Sequence, residues 1–211
     1  GVYAADADIR NVNVRHFLPG DSIGTVTARL SVEGYGTDIY SRSTRLDAKA
    51  TVSQLRYGRH YDLRGLDVTA HVRNGQATGS LMADNDLVTM RADVAGMLQR
   101  PLSGVTFGLD VSAIDLKALG LSDKPLSMSA CLHMDGSTNL SDSHSIDGTI
   151  SDMAILTTDS LYRPADIELR ALLRRDTVHA FVSSGDLMVT VDTDKGVERL
   201  LKQSAHLADE L

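Results

Sequence analysis

From Leu66 to Val94 the chain largely alternates apolar and polar residues, with turn-forming pairs at Asn74-Gly75 and Asn85-Asp86. A period of two is the mark of a β-strand, because successive side chains point to opposite faces. Asn-Gly between two such runs is a strong hairpin signal, since both loop residues of a type I′ turn need positive φ. Pairing about Asn74-Gly75 sets Val72 opposite Ala77, Ala70 opposite Gly79, Val68 opposite Leu81 and Leu66 opposite Ala83. All eight are apolar or glycine and share one face. The other face receives Arg73 with Gln76, His71 with Thr78, and Thr69 with Ser80. A slip of one residue would exchange the two faces, so the register is well specified. Taking Asn85-Asp86 as a second two-residue loop sets Ala83 opposite Val88, Leu81 opposite Met90, Gly79 opposite Ala92 and Ala77 opposite Val94. The expected element is a β-meander with one apolar and one wet side.

The layout that starts at Tyr61 returns at Tyr162. With Arg175-Asp176 as loop, Leu173 faces Val178, Ala171 faces Ala180 and Leu169 faces Val182. With Gly185-Asp186 as loop, Val182 faces Val189 and Ala180 faces Val191. Further period-two sets are Val26 to Val32, Leu46 to Val52, Val105 to Val111 and Met128 to Met134, with glycine-rich punctuation at 33–38 and 120–125. The fold class read from these patterns is mainly β, built of elongated antiparallel meander repeats. Residues 1–120 are read as a first β-repeat unit and 121–211 as a second, joined in one continuous sheet. Two stretches depart from the rule. Ile114, Leu116 and Leu119, followed by Gly120 as a stop, predict a short helix near 113–119. Val197, Leu200, Leu201, Leu207 and Leu211, with Thr193 as N-cap, predict an amphipathic C-terminal helix near 194–210. Its mixed charges favour covering the sheet end over membrane docking.

Composition narrows the function classes. Aromatic residues are 4% of the chain and Trp is absent, so any apolar surface is aliphatic. A net charge of −7 argues against nucleic-acid binding and against a basic membrane-surface patch. A single cysteine, Cys131, excludes an internal disulfide and a cysteine-rich zinc site, and its position points it away from the apolar row. No apolar run reaches the ~18 residues of a membrane-spanning helix, and no signal peptide is recognisable. The abrupt start at Gly1 and the end inside a helical pattern at Leu211 point to an internal piece of a longer protein.

Reactive constellations are sparse. His133 and Asp135 share a strand face, and Asp142, His144 and Asp147 follow in what reads as a solvated loop, without tight metal-ligand spacing. The Asp84-Asn85-Asp86 triplet resembles a calcium loop but lacks the later Glu, and it already serves as a turn. Gly34 and Gly36 are not followed by a phosphate-loop pattern. No nucleophile elbow occurs, and Asp6 and Asp8 show no sign of a cleft. The chain is read as non-catalytic, with no cofactor and no metal.

The stretch from Leu55 to Gly96 resembles TamB-type proteins, the translocation and assembly module members of the AsmA-like superfamily, in the form seen in Bacteroidota. The matching features are Tyr57 and Tyr61, the strand Leu66 to Val72, the Asn74-Gly75 turn, Gly79, the acidic turn Asp84 to Asp86, and Gly96. The turn within Ser31 to Asp38 and the segment Ile114 to Leu121 are similar to two further family features. These motifs are structural, and none is catalytic. The resemblance implies a periplasmic, β-rich body of an inner-membrane-anchored protein of the Gram-negative envelope. Such bodies are sheets curled into an apolar groove, often called a β-taco. The family is linked to phospholipid transport between the membranes and to outer-membrane protein assembly.

The resemblance and the pairings give one expectation. Leu66, Val68, Ala70, Val72, Gly79, Leu81, Val88, Met90, Ala92, Leu169, Ala171, Ala180, Val182 and Val189 line a groove for phospholipid acyl chains. Within it, Ala70, Gly79 and Ala92 form one small-residue row, and Ala171, Ala180 and Val191 form another. The rival expectation is a scaffold whose sheet edge pairs with strands of an outer-membrane barrel partner. A third is a stalk or adhesion domain whose two halves close as separate sandwiches.

Overall fold

A computed structural model describes residues 1–13, 23–57, 61–99, 103–139 and 141–194. The strands are β1 (Val2–Asn13), β2 (Ile23–Tyr35), β3 (Arg45–Tyr57), β4 (Tyr61–Leu63), β5 (Leu66–Arg73), β6 (Gln76–Asp84) and β7 (Val88–Met97). They continue as β8 (Ser103–Asp115), β9 (Leu126–Thr138), β10 (Ser143–Thr157), β11 (Leu161–Tyr162), β12 (Ile167–Arg174), β13 (Val178–Ser184) and β14 (Leu187–Thr193). All fourteen belong to one antiparallel sheet in the order β1-β2-β3-β5-β6-β7-β8-β9-β10-β12-β13-β14. The short β4 and β11 pair with β3 and β10, beside β5 and β12 respectively. Strand neighbours in sequence are thus neighbours in space, and the sheet is a meander that does not close: β1 and β14 are its two ends.

The repeat seen in the sequence has the same topology twice. A long strand (β3, β10) is followed by a two- or three-residue strand (β4, β11) that folds back on it. The chain then steps along the same edge into β5 or β12 and makes two hairpins. Tyr61 pairs with Tyr57 in the first copy, and Tyr162 with Ile155 in the second. The sheet runs unbroken across residues 120 and 121, because β8 pairs with β9 from Val105–Gly136 to Asp115–Ser127.

The hairpin about Asn74-Gly75 has the expected register, residue for residue. Asn74 (φ 54°) and Gly75 (φ 74°) both take the left-handed conformation that a type I′ turn demands. The hairpins at Arg175-Asp176 and Gly185-Asp186 likewise have the expected pairs.

The second turn of the first meander differs. Ala83 lies opposite Met90 rather than Val88, Leu81 opposite Ala92, Gly79 opposite Val94 and Ala77 opposite Gly96. The cause is Asn85. Its side-chain oxygen accepts from the N–H groups of both Leu87 (3.0 Å) and Val88 (3.1 Å), while its own N–H donates to the Val88 carbonyl. This Asx-type turn holds more residues than a two-residue loop. The register moves by two, so every side chain keeps its face.

The helix expected near 113–119 is not formed. Ala113 to Asp115 remain in β8, and residues 116–120 make one hydrogen-bonded turn. The Asp115 carboxylate accepts from the Ala118 N–H at 2.9 Å, as an N-cap does. The turn closes at once. Leu121 N–H bonds to the Leu116 carbonyl, Gly120 N–H bonds to the Lys117 carbonyl, and Gly120 sits at φ 68°. That is a Schellman closure with glycine at C′. Gly120 is therefore the stop that the sequence indicated, but it ends a single turn, because the preceding residues are held in the sheet by β7 and β9. The expected C-terminal helix lies outside the described residues apart from Asp194. Thr193, its expected cap, ends β14.

No second layer packs on the sheet among the described residues, since every pair of strands in substantial contact is a pair of hydrogen-bonded neighbours. The accessible surface is 14405 Å². A compact protein of this mass would expose about 9,500 Å². Only five hydrophobic residues are buried among those described: Leu66, Val72, Ala83, Val88 and Val178. Leu66, Ala83 and Val88 form one cluster, supported by Val52, Leu55, Leu63, Leu81, Met90 and Ile114.

Candidate functional site: an unbroken apolar sheet face

The strand registers join the separate apolar patterns into rows that cross the whole sheet. One row begins with Ala5, Val32, Ala48, Ala70, Gly79 and Val94 on β1, β2, β3, β5, β6 and β7. It continues with Phe107, Met134, Gly148, Leu169, Val182 and Val189 on β8, β9, β10, β12, β13 and β14. No polar side chain interrupts it. A parallel row, from Ala7 through Val68, Leu81, Ala92, Leu109 and Leu132 to Leu187, is apolar except at Ser184. Bulges at Ile9–Val12 on β1, Val111–Ile114 on β8 and Ser151–Ala154 on β10 shift the register beyond these two rows. Inserting residues there adds local twist without moving the central rows.

All fourteen residues expected to line a groove stand on this face, in registers that place them side by side. Leu66, Val72 and Val88 are buried, and they belong to local packing rather than to open surface. Val68 (36% exposed) and Val189 (45%) are open, and the others are half-buried. The small-residue row is corrected by the shift at Asn85. Ala48, Ala70 and Gly79 form it, Val94 follows, and Ala92 falls in the neighbouring row beside Leu81. Val94 leans over Gly79: a Cβ there would lie 3.1 Å from Val94 Cγ1. The row Ile146, Ala171, Ala180, Val191 is as expected from the second hairpin.

Residues not foreseen as lining are Phe107, Met134 and Ile146. With Val105 and Gly136 they border a depression of about 390 Å³ on the apolar face. The alternation of 105–111 and 128–134 carried the signal for the first two, but the pairing partner of those strands was not apparent from a turn motif. His144 is not part of the solvated loop that its sequence neighbours suggest. It lies instead on β10, half-buried, on the apolar face, with Nδ1 2.6 Å from Thr138 Oγ1.

The opposite face carries the charges. Asp47 accepts from Arg73 (3.0 and 3.1 Å) and is bonded to His71. Arg91 forks onto Asp93, and His179 pairs with Asp192 at 2.6 Å. His133 lies 3.0 Å from Asp135, which also accepts from Thr106 at 2.9 Å. The bonds from His71 and then Arg73 hold the Asp47 carboxyl below the usual carboxylate range, and Thr106 and His133 do the same for Asp135. Among the described residues no group of three or more His, Cys, Asp or Glu comes together as a metal site would require. Cys131 lies on this face between Asp110 and Ser151. Desolvation, then the charges of Asp110 and Asp152, raise its thiol above the ordinary value, which disfavours the reactive thiolate.

Asp47→Asn is expected to lower stability at neutral pH, with the gap closing in acid. The lowered carboxyl stabilises the fold fully above the unfolded value of about 3.9, and that contribution fades as pH falls through the still lower folded value. Urea midpoints of the two chains measured from pH 7 downward should begin to converge near about pH 4 and meet once the pH is below the folded value. A gap that persists there would contradict this role for the carboxylate.

No helix of the described residues is long and apolar enough to cross a membrane. Comparison with known proteins finds no match to any family, to any curated protein or to any solved structure.

Proposed function

We propose that the chain is a non-catalytic, lipid-conducting segment of a TamB-type periplasmic bridge, its sheet curled into a groove with phospholipid acyl chains on the apolar face. One observation carries the reading: one apolar row runs without interruption from β1 to β14 and a second is broken only at Ser184, on a face that no second layer covers among the described residues. A folded chain does not ordinarily leave so large an apolar surface to water, and patches beyond a few hundred Å² mark interaction sites. Acyl chains suit a face that is aliphatic, continuous and poor in hydrogen-bonding groups. Each CH₂ removed from water contributes about 0.8 kcal/mol, so no polar anchor is needed along the way. The largely aliphatic rows offer few fixed partners, which favours sliding. The charged opposite face then faces water, where its ion pairs contribute solubility more than stability.

A scaffold for outer-membrane strands is the second reading, favoured by the edge at β14. Leu187 (63% exposed) and Met188 (68%) stand there, and β14 contains neither Lys nor Pro to discourage pairing. Lipid extraction followed by mass spectrometry separates the two. The chain purified from an envelope without detergent should carry phospholipid in stoichiometric amount. Lipid-free chain that instead retains a strand-rich protein partner would favour the scaffold.

A further inference from the structure

We propose that the apolar face holds one registered lipid seat, with the acyl chain over Phe107 and Ile146 and the head group at His144. This rests on the lipid-groove reading. Gly136 stands between Val105 and Ile146 in one row, and Gly148 lies beside Met134 in the next. The missing side chain at Gly136 opens the depression of about 390 Å³, within the roughly 300–1,000 Å³ range of small-ligand sites. Phe107 adds aromatic surface in a chain that has little. Two other depressions, of about 280 and 370 Å³, lie among charged groups of the opposite face such as Asp147 and Arg170, or Asp8 and Arg29. The first also has Leu172 and Phe181 in its lining, but Asp147, Arg170, His179 and Asp192 border it, and it lies off the apolar rows.

The seat also has a polar end. His144 is the second residue of β10 and pairs with Thr138, the last of β9, on the otherwise apolar face. The Thr138 hydroxyl lies 2.6 Å from His144 Nδ1, and Nε2 has no partner among the described residues. In the tautomer in which the Thr138 hydroxyl donates to Nδ1, the ring proton sits on Nε2 and can donate to a ligand oxygen. His144 and Ile146 point to the same side, about 6.6 Å apart along the strand. A head-group phosphate or ester oxygen at Nε2 therefore leaves the tail over Ile146 and Phe107, with the head group at the strand-end rim beside the Asn139 turn. The ligand class is an acyl chain bearing an oxygen acceptor, held in one orientation.

The test is photolabelling of the purified chain with a benzoylphenylalanine at Met134 or, as reference on the same face, at Val68. The probes are a sixteen-carbon lysophosphatidylglycerol and hexadecane. The lysolipid should label Met134 several-fold more than Val68, and hexadecane should label both alike. His144→Leu should remove the excess, and His144→Gln, which keeps a donor, should retain part of it, with circular dichroism showing unchanged strand content. Equal lysolipid labelling of the two positions, or an excess that survives His144→Leu, would overturn the seat and leave the groove reading standing. No labelling at either position by either probe would overturn both.

Discussion

Leu66→Ala is expected to destabilise the chain by about 2–5 kcal/mol, the range of large-to-small changes at buried sites. The open sheet has few places where a side chain is surrounded. Leu66 is one, at 8% exposure, packed with Ala83 (2%) and Val88 (6%) and flanked by Leu63 from the short strand β4. Here β4 and β5 share the edge of β3, and the Asn85 turn closes over the same corner through a bond to the Arg64 carbonyl. Removing Leu66 leaves a cavity that hydrogen-bonded strands on both sides cannot collapse to fill. Val94→Ala is the contrast. Val94 is 44% exposed and should cost less than about 1 kcal/mol, because little area returns to water. Urea denaturation of the three chains decides this. Equal losses would mean that the packing is spread evenly along the sheet.

Val94→Asp is expected to lower bound phospholipid at least tenfold while the chain stays folded. Asp is near Val in size, and the site is open enough for a carboxylate to remain hydrated in the empty protein. An acyl chain lying along the row of Gly79, Val94 and Phe107 would strip that hydration. Covering an unpaired charge costs several kcal/mol, and about 1.4 kcal/mol already amounts to a tenfold loss. Thr78→Asp, on β6 opposite Ala95 of β7 on the wet face, is the matched control and should leave lipid content unchanged. Lipid phosphorus per purified chain is the readout. Equal content in the two variants would mean that lipid does not lie on this face.

Much of this architecture could be read from the chain because it is local. Two-residue loops such as Asn74-Gly75 and Gly185-Asp186 determine registers outright, and alternation assigns each residue to a face. The loop at Asn85 escapes that rule because its side chain, rather than a backbone turn type, sets the loop length. The resulting two-residue shift takes Ala92 out of the small-residue row without changing any face. Leu116 and Leu119 followed a helical period, yet neighbouring strands hold Ile114 and Asp115, a tertiary constraint that local pattern does not contain. The seat at Phe107, Met134 and Ile146 depends on which strands lie beside each other across longer connections. His144 looked solvated because its sequence neighbours are polar, whereas the sheet turns it toward the apolar side.

Photo-crosslinking in cells puts the groove itself to the test. A photoreactive amino acid at Val68, on the apolar face, is compared with one at Thr69, whose hydroxyl bonds Ser80 on the wet face, in the protein expressed in living cells. Phospholipid captured at Val68 and not at Thr69 is the predicted result. Protein adducts alone at Val68, or lipid captured equally at both positions, would contradict a lipid path along this sheet.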